Sequence, residues 1–131
     1  MKSGSRKPSD RKLTSYRSSL GRRGEEFAAT FFASKGFIIL ERNWSCRFGE
    51  IDLIIKKGEE VRFIEVKCRR THAFGYPETS VTAKKLRHLQ IAMELWLRTQ
   101  PSLPRHYQAD VLAISWLAGS TEPGVEWIQG V

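Results

Sequence analysis

Three charged side chains interrupt two runs of residues that otherwise suit buried strands. Asp52 lies in the run 50–55, and Glu65 and Lys67 lie in the run 61–67, which follows after a short Gly-containing turn. Because alternate side chains of a strand share a face, Glu65 and Lys67 point the same way, roughly 6–7 Å apart. If the two runs pair as a hairpin with Asp52 near Glu65, two carboxylates and one ammonium converge at the end of a strand pair.

A pair of carboxylates held together is a site for a hard divalent cation. The two groups repel, and each takes up a proton more readily than an isolated carboxylate does. Magnesium relieves the repulsion, since it accepts one or two carboxylates together with waters and phosphate oxygens. A bound metal activates water and stabilises a leaving oxygen, and Lys67 would orient that water or neutralise developing charge. The pattern therefore predicts a magnesium- or manganese-binding, phosphodiester-cleaving site.

The same pattern is compatible with a salt-bridge ladder, in which Lys67 pairs with Glu65 or Asp52 across an exposed sheet face. The flanking residues favour the functional interpretation, because they are apolar enough for a central strand that is covered on both sides. Charges in such a strand are costly unless they are paired or used. Strict alternation divides the first run into two faces: Ile51, Leu53 and Ile55 on one, and Glu50, Asp52 and Ile54 on the other.

The elements that position these residues follow from apolar periodicity and from turn residues. Spacings of three to four predict helices over 20–35, stopped by Gly36, and over about 82–98, capped by Thr82 or Ser80. Strands are predicted over 37–40, 50–55, 61–67, 107–114 and 125–128, with loops at 43–48 and 71–81. The order αβββαβ, with a further short strand at its end, indicates an α/β fold with a mixed sheet flanked by helices.

Length and charge indicate one domain with a tail. The chain of 131 residues suits a single domain, 20–131, preceded by a flexible basic tail, 1–19. The net charge of +8 is uneven: residues 1–23 hold eight Lys or Arg and one acid, and the other 14 basic and 13 acidic residues nearly cancel. Such an arm binds polyanions in a salt-dependent way, and a solvated leader explains it equally well.

The cysteines and the hydropathy indicate a cytoplasmic protein without a membrane contact. Cys46 and Cys68 are too few for a disulfide framework and are typical of reduced thiols. Cys68 and His72 could form half of a zinc site, but the second pair of ligands that structural zinc requires is missing. No apolar run approaches the roughly 18 residues that cross a bilayer.

Several segments in order resemble the YraN family of small bacterial proteins, within the PD-(D/E)XK nuclease superfamily, beside the archaeal Holliday junction resolvases. The segments are GEIDLI at 49–54, FIEVK at 63–67, GxxGE at 21–25, Gly36-Phe37, SVT at 80–82 with Lys85, the pair Trp96-Leu97, and ADV at 109–111. The resemblance covers roughly residues 20–128. It departs from the superfamily's name at Ile51, where the first motif would have a proline before its aspartate.

The resemblance implies a restriction-endonuclease-like three-layer α/β/α core and a role for each site residue. Asp52 and Glu65 would be metal ligands, Lys67 the catalytic lysine, and Glu25 a catalytic carboxylate carried by the first helix. Glu50 would supply a further metal ligand or hold a water. The implied cofactor is Mg²⁺ or Mn²⁺. Resolvase relatives act as dimers, which makes a homodimer an expectation by analogy.

Basic residues near these motifs are candidates for binding a nucleic-acid backbone. They are Arg69, Arg70 and Lys85. Trp44, Tyr76 and Trp96 could stack on unpaired bases, although Trp96 lies on an apolar helix face that favours core packing. The prediction is a metal-dependent nuclease acting on DNA, in preference to RNA, or on structured nucleic acid. The alternatives are a catalytically weak or inactive nucleic-acid-binding module on the same fold, and a purely structural protein.

Overall fold

The structure, a computed structural model, describes residues 19–71, 82–117 and 121–131. Its elements in chain order are α1 (Ser19–Ser34), β1 (Ile38–Cys46), β2 (Gly49–Lys57), β3 (Glu60–Thr71), α2 (Ala83–Arg98), β4 (His106–Leu117) and β5 (Gly124–Ile128). All but the last residue of the predicted tail lie outside the described ranges, as do Ser80, His72, Tyr76 and most of the loop predicted at 71–81. The division into tail and domain therefore stays a prediction.

The five strands form one mixed sheet in the order β1-β2-β3-β4-β5. Neighbouring strands are antiparallel except β3 and β4, which run parallel and are joined through helix α2. A parallel pair requires such a crossover, because its strands must start at the same end of the sheet. The α/β class and the mixed sheet that the sequence predicts are confirmed. Neither described helix is long and apolar enough to cross a membrane.

The two helices cover opposite faces of the sheet. The cluster on the α1 side consists of Ala28, Phe32, Phe37, Leu53, Ile55, Ile64, Leu112 and Ile114. The cluster on the α2 side consists of Trp44, Ile51, Ile54, Val61, Phe63, Leu89, Ala92, Trp96, Leu97 and Ala109. Successive residues of β3, such as Phe63 and Ile64, enter different clusters, as the alternation of a strand requires. The three layers leave the middle strands dry on both faces.

Local signals mark the end of α1 and the start of α2 where the sequence predicts them. Gly36 follows α1 with φ +93°, a left-handed conformation that glycine adopts without penalty. Thr82 caps α2, and its Oγ1 accepts a hydrogen bond from the Lys85 backbone N–H at 3.1 Å. Both predicted helices are confirmed to within one residue of their predicted ends.

All five strands are longer than predicted, and β1 and β3 gain the most residues. β1 continues to Cys46, so the predicted loop at 43–48 is wrong except for the turn that follows. The reason is that β1 is an edge strand, which tolerates polar residues on its open sides. β3 continues to Thr71 because its parallel pairing with β4 extends to Leu117. Arg69 and Arg70 therefore lie within a strand rather than after it.

Candidate active site

The hairpin of β2 and β3 stops pairing at the predicted site. Its ladder runs from Lys57 and Glu60 to Leu53 and Ile64, and no backbone pair follows between these strands. Instead, the backbone N–H of Val66 donates to Oδ2 of Asp52 at 2.7 Å. A carboxylate thus takes the place of a main-chain carbonyl, and the two strands separate at the level of Asp52 and Glu65.

In the neighbouring pair, β1 and β2, the side chains of both strands change from one face of the sheet to the other at the same level. Arg42 pairs with Leu53 and Trp44 with Ile51, so side chains on one strand two residues apart should share a face. They do not share a face. Arg42 donates a hydrogen bond to Glu26 on α1, and Leu53 packs in the cluster on the α1 side. Trp44 and Ile51 pack in the cluster on the α2 side. Between them Asn43 has φ +51°, a left-handed conformation that reverses the alternation.

This reversal corrects the predicted grouping of the first run. Ile51 does not share a face with Leu53 and Ile55, because it packs with Ile54 in the α2-side cluster. Strict alternation fails where the backbone of the neighbouring strand enters the left-handed region. Asp52 occupies the position of the reversal, and its carboxylate points toward β3, where it reaches the Val66 N–H.

The carboxylates of Asp52 and Glu65 disfavour each other's charge. Burial raises the pKa of Asp52 well above its usual value, the charge of Glu65 raises it further, and the hydrogen bond from Val66 opposes both. Burial also raises the pKa of Glu65, against the attraction of Lys67 and Lys85. The charge of Glu25 raises both values. A cation would relieve this crowding of negative charge.

Glu25 follows a glycine at which helix α1 packs closely against β3, because the helix presents no side chain at that point. The preceding residue, Gly24, is buried, and a Cβ built on it would lie 1.8 Å from Sγ of Cys68. Burial raises the pKa of the Cys68 thiol, so this sulfur is a neutral packing group. The glycine and the cysteine together set the distance between Glu25 and the two strand carboxylates.

Gly24→Ala is expected to destabilise the protein by about 1–3 kcal/mol, the usual cost of overpacking. A loss of stability would indicate this close packing, since alanine inside a helix is otherwise more stable than glycine by roughly 0.5–1 kcal/mol. In a Cys68→Ala background the nearest contact of the new methyl group becomes the residue-68 Cβ at 3.4 Å, so most of the loss should be recovered. Urea unfolding of the two single variants and the double variant measures the coupling. A Gly24→Ala protein as stable as the wild type would contradict this packing.

Lys67 lies beside a second lysine, which the sequence did not pair with it. Burial lowers the pKa of Lys67, and so do the hydrogen-bonding contact and the charge of Lys85, while Glu65 raises it. Lys85 is exposed in the first turn of α2, and the crossover between β3 and β4 brings this turn over the end of β3. Two adjacent ammonium groups suit an anion with several oxygens, such as a phosphate.

The remaining candidates lie in different settings. Glu50 and Arg69 are half-buried on β2 and β3, and the charge of Arg69 acts on Lys67. The side chain of Arg70 lies outside the described residues. Trp44 is a core residue rather than a surface for bases, and Trp96 packs edge-on against Phe63, as its helix face predicts.

The contact of Arg23 with Trp116 was not predicted from the sequence. The guanidinium of Arg23 on α1 lies 4.2 Å from the ring centroid of Trp116 on β4. Arg23 and Trp116 are far apart in the sequence, so no spacing rule predicts their contact. Within the ranges that the structure describes, no three His, Cys, Asp or Glu side chains converge closely enough to hold a metal ion by themselves.

Fold and site together define a mixed α/β protein with an acidic pair where two central strands separate and a lysine pair beside it. A family model described as "Uncharacterised protein family UPF0102" matches residues 24–114, a range that contains every described site residue. The chain belongs to this family. The membership is consistent with the resemblance to the YraN proteins.

Curated relatives match most of the chain and most of their own length. A UPF0102 protein of Clavibacter michiganensis is 37% identical over 110 residues, 84% of this chain and 92% of the relative. One of Caldicellulosiruptor saccharolyticus is 41% identical over 95 residues, which is 72% of this chain and 80% of the relative. One of Syntrophomonas wolfei is 43% identical over 95 residues, 72% and 83% respectively. The family match itself takes in β1, β2, β3 and most of β4.

Proposed function

We propose that the protein is a metal-dependent nuclease that hydrolyses phosphodiester bonds in DNA or structured nucleic acid, of the PD-(D/E)XK type. The observation that carries the proposal is the meeting of Asp52 and Glu65 where β2 and β3 separate, with Lys67 beside them. A structural salt bridge would satisfy these acids. Here burial raises the pKa of both acids; the charge of Glu65 adds to this at Asp52, and at Glu65 the pKa stays raised although Lys67 and Lys85 lower it, which is typical of groups kept for a ligand.

The donor set fits magnesium or manganese. Asp52 and Glu65 supply two carboxylates, and Mg²⁺ commonly takes one or two, with waters and phosphate oxygens completing its shell. Glu25 lies close enough for its charge to act on both and would bind a metal-coordinated water. A metal held there supplies an activated water and charge stabilisation at the phosphorus centre.

The basic residues would hold the other side of the substrate. Lys67 and Lys85 would bind the scissile phosphate between them, which turns their mutual repulsion into attraction for an anion. Lys67, with its lowered pKa, is also able to orient or deprotonate the attacking water. Arg69 would bind a neighbouring phosphate. Preference for DNA over RNA and dimerisation stay predictions.

Lys67→Ala is expected to lower the rate of cleavage about a hundredfold or more, because it removes charge stabilisation at the reacting phosphate. The assay incubates purified protein with single-stranded, duplex and branched DNA in the presence of Mg²⁺, Mn²⁺ or a chelator. Lys84→Ala is the matched control, since Lys84 is an exposed neighbour of Lys85 on α2. Equal activity in all three proteins would identify a contaminating nuclease and reject the assignment.

A non-catalytic nucleic-acid-binding module on this fold is the second candidate. It is favoured because no three His, Cys, Asp or Glu side chains converge on one point within the described residues. It predicts salt-sensitive DNA binding that weakens with Lys85→Ala and Arg69→Ala, without cleavage in either metal. Calorimetric titration with Mn²⁺ separates the candidates, since the nuclease requires metal binding that Asp52→Asn abolishes.

A further inference from the structure

A two-residue turn joins β1 and β2 at the end of the sheet that carries the candidate active site. The pair Cys46 and Gly49 closes the turn, and Gly49 has φ +138°. Arg47 and Phe48 form the tip. Arg47 is exposed and Phe48 half-buried, and the guanidinium carbon of Arg47 lies 5.0 Å from the centroid of the Phe48 ring.

Neither core packing nor turn chemistry explains this pair. Two-residue hairpin turns favour Asn, Asp and Gly, which adopt the required backbone conformations. Phe48 belongs to neither buried cluster of the described residues, nor to the half-buried residues packed against them. An aromatic ring with a stacked guanidinium on an otherwise polar tip is a platform for a planar ligand.

The tip is close to the acids of the candidate site. Phe48 lies four positions before Asp52, a distance of roughly 13 Å along a strand. A stacked nucleic-acid strand rises about 3.4 Å per nucleotide, so roughly four nucleotides span that distance. A base on the tip and a phosphate at Asp52 can therefore belong to the same strand.

We propose that Arg47 and Phe48 hold an unpaired base, so that the substrate of the site is DNA with a single-stranded or splayed segment. The base stacks on the Phe48 ring, and the Arg47 guanidinium stacks on the base or bonds to its phosphate. In an intact duplex the bases are stacked on one another and do not reach the tip. The inference rests on the proposed function for its substrate, and its test is a binding measurement that needs no cleavage.

The test compares a fluorescent splayed DNA with a blunt duplex of the same sequence, by anisotropy in the presence of a chelator. The wild type is expected to prefer the splayed DNA at least about tenfold, the effect of one stacked base. Phe48→Ala should abolish the preference without weakening duplex binding, Phe48→Trp should keep it, and Arg47→Ala should reduce it. Arg105→Ala is the matched control, because Arg105 is also exposed but follows α2, far from the tip in the sheet.

Thermal unfolding verifies that each variant is folded. A wild type without the preference, or a Phe48→Ala protein that retains it, overturns the inference. The nuclease proposal and the base-binding inference are rejected by different results. If no metal supports cleavage while Phe48→Ala still loses the preference, the tip binds unpaired bases in a non-catalytic protein.

Discussion

Asp110→Ala is expected to lower the free energy of unfolding by about 3–5 kcal/mol, because it removes a buried carboxylate that accepts four hydrogen bonds and leaves the Arg62 guanidinium with only Glu60 as an ion-pair partner among the described residues. Asp110 is fully buried on β4. Its Oδ2 accepts hydrogen bonds from Arg62 at 3.0 Å and from the Trp127 indole at 2.9 Å. Its Oδ1 accepts from Gln108 at 2.8 Å and from the Gly130 backbone at 2.9 Å. One carboxylate thus ties β3, β4 and the segment after β5 together.

Urea unfolding at neutral pH measures the loss, with Asp110→Asn as a second variant that keeps the shape of the side chain. Asparagine retains one acceptor oxygen, so its cost should be smaller, about 1–3 kcal/mol. Glu59→Ala is the control: Glu59 forms an exposed pair with Arg105 at 3.8 Å, and such pairs contribute well under 1 kcal/mol. An Asp110→Ala protein within 1 kcal/mol of wild type would contradict the role of this network.

Asp52→Asn is expected to stabilise the protein at neutral pH and to abolish its proposed activity. The amide keeps an acceptor for the Val66 N–H but removes the charge that burial and Glu65 disfavour. Relief of strain at a functional site typically gains about 0.5–2 kcal/mol. Cleavage and Mn²⁺ binding should fall by at least about a hundredfold, since a metal ligand and its charge are lost.

The gain in stability should depend on pH in a definite direction. The pKa of Asp52 is higher in the folded protein than its ordinary value of 3.8, so the folded state binds this proton more tightly. Stability of the wild type therefore falls as pH rises from about 3.8 through the folded pKa, and the full loss is present above it. The difference between Asp52→Asn and wild type should vanish in acid and be largest near neutrality.

Urea unfolding across this pH range measures that difference, with Glu94→Gln as a control on the exposed face of α2. Millimolar Mn²⁺ should stabilise the wild type and leave Asp52→Asn unchanged, because a ligand stabilises only a state that binds it. A variant that is less stable than wild type at neutral pH would show that the charge of Asp52 is satisfied within the folded chain.

The sequence was sufficient to predict the elements that carry the candidate site. The apolar runs around Asp52 and Glu65 predict strands covered on both faces, and both are central in the sheet. The helix stop at Gly36 and the cap at Thr82 were readable because each depends only on neighbouring residues.

What the sequence could not predict depends on contacts between distant segments. Nothing in the spacing marks Asn43 as the residue that reverses the faces of β1 and β2, because asparagine is equally common in ordinary loops. The meeting of Lys67 with Lys85 depends on how α2 crosses the sheet. The role of Asp110 as a buried anchor likewise depends on distant segments, since its carboxylate accepts hydrogen bonds from Arg62 and Trp127.

The bond from the Val66 N–H to Asp52 makes the last rung of the hairpin ladder titratable. A backbone carbonyl has the same strength as an acceptor at every pH, whereas a carboxylate is a strong acceptor when ionised and a weaker one when protonated. The stiffness of the sheet at this point is therefore set by a proton, and by any cation that competes for the same oxygen. The strength of the contact between β2 and β3 at this point therefore changes with the charge of the Asp52 carboxylate.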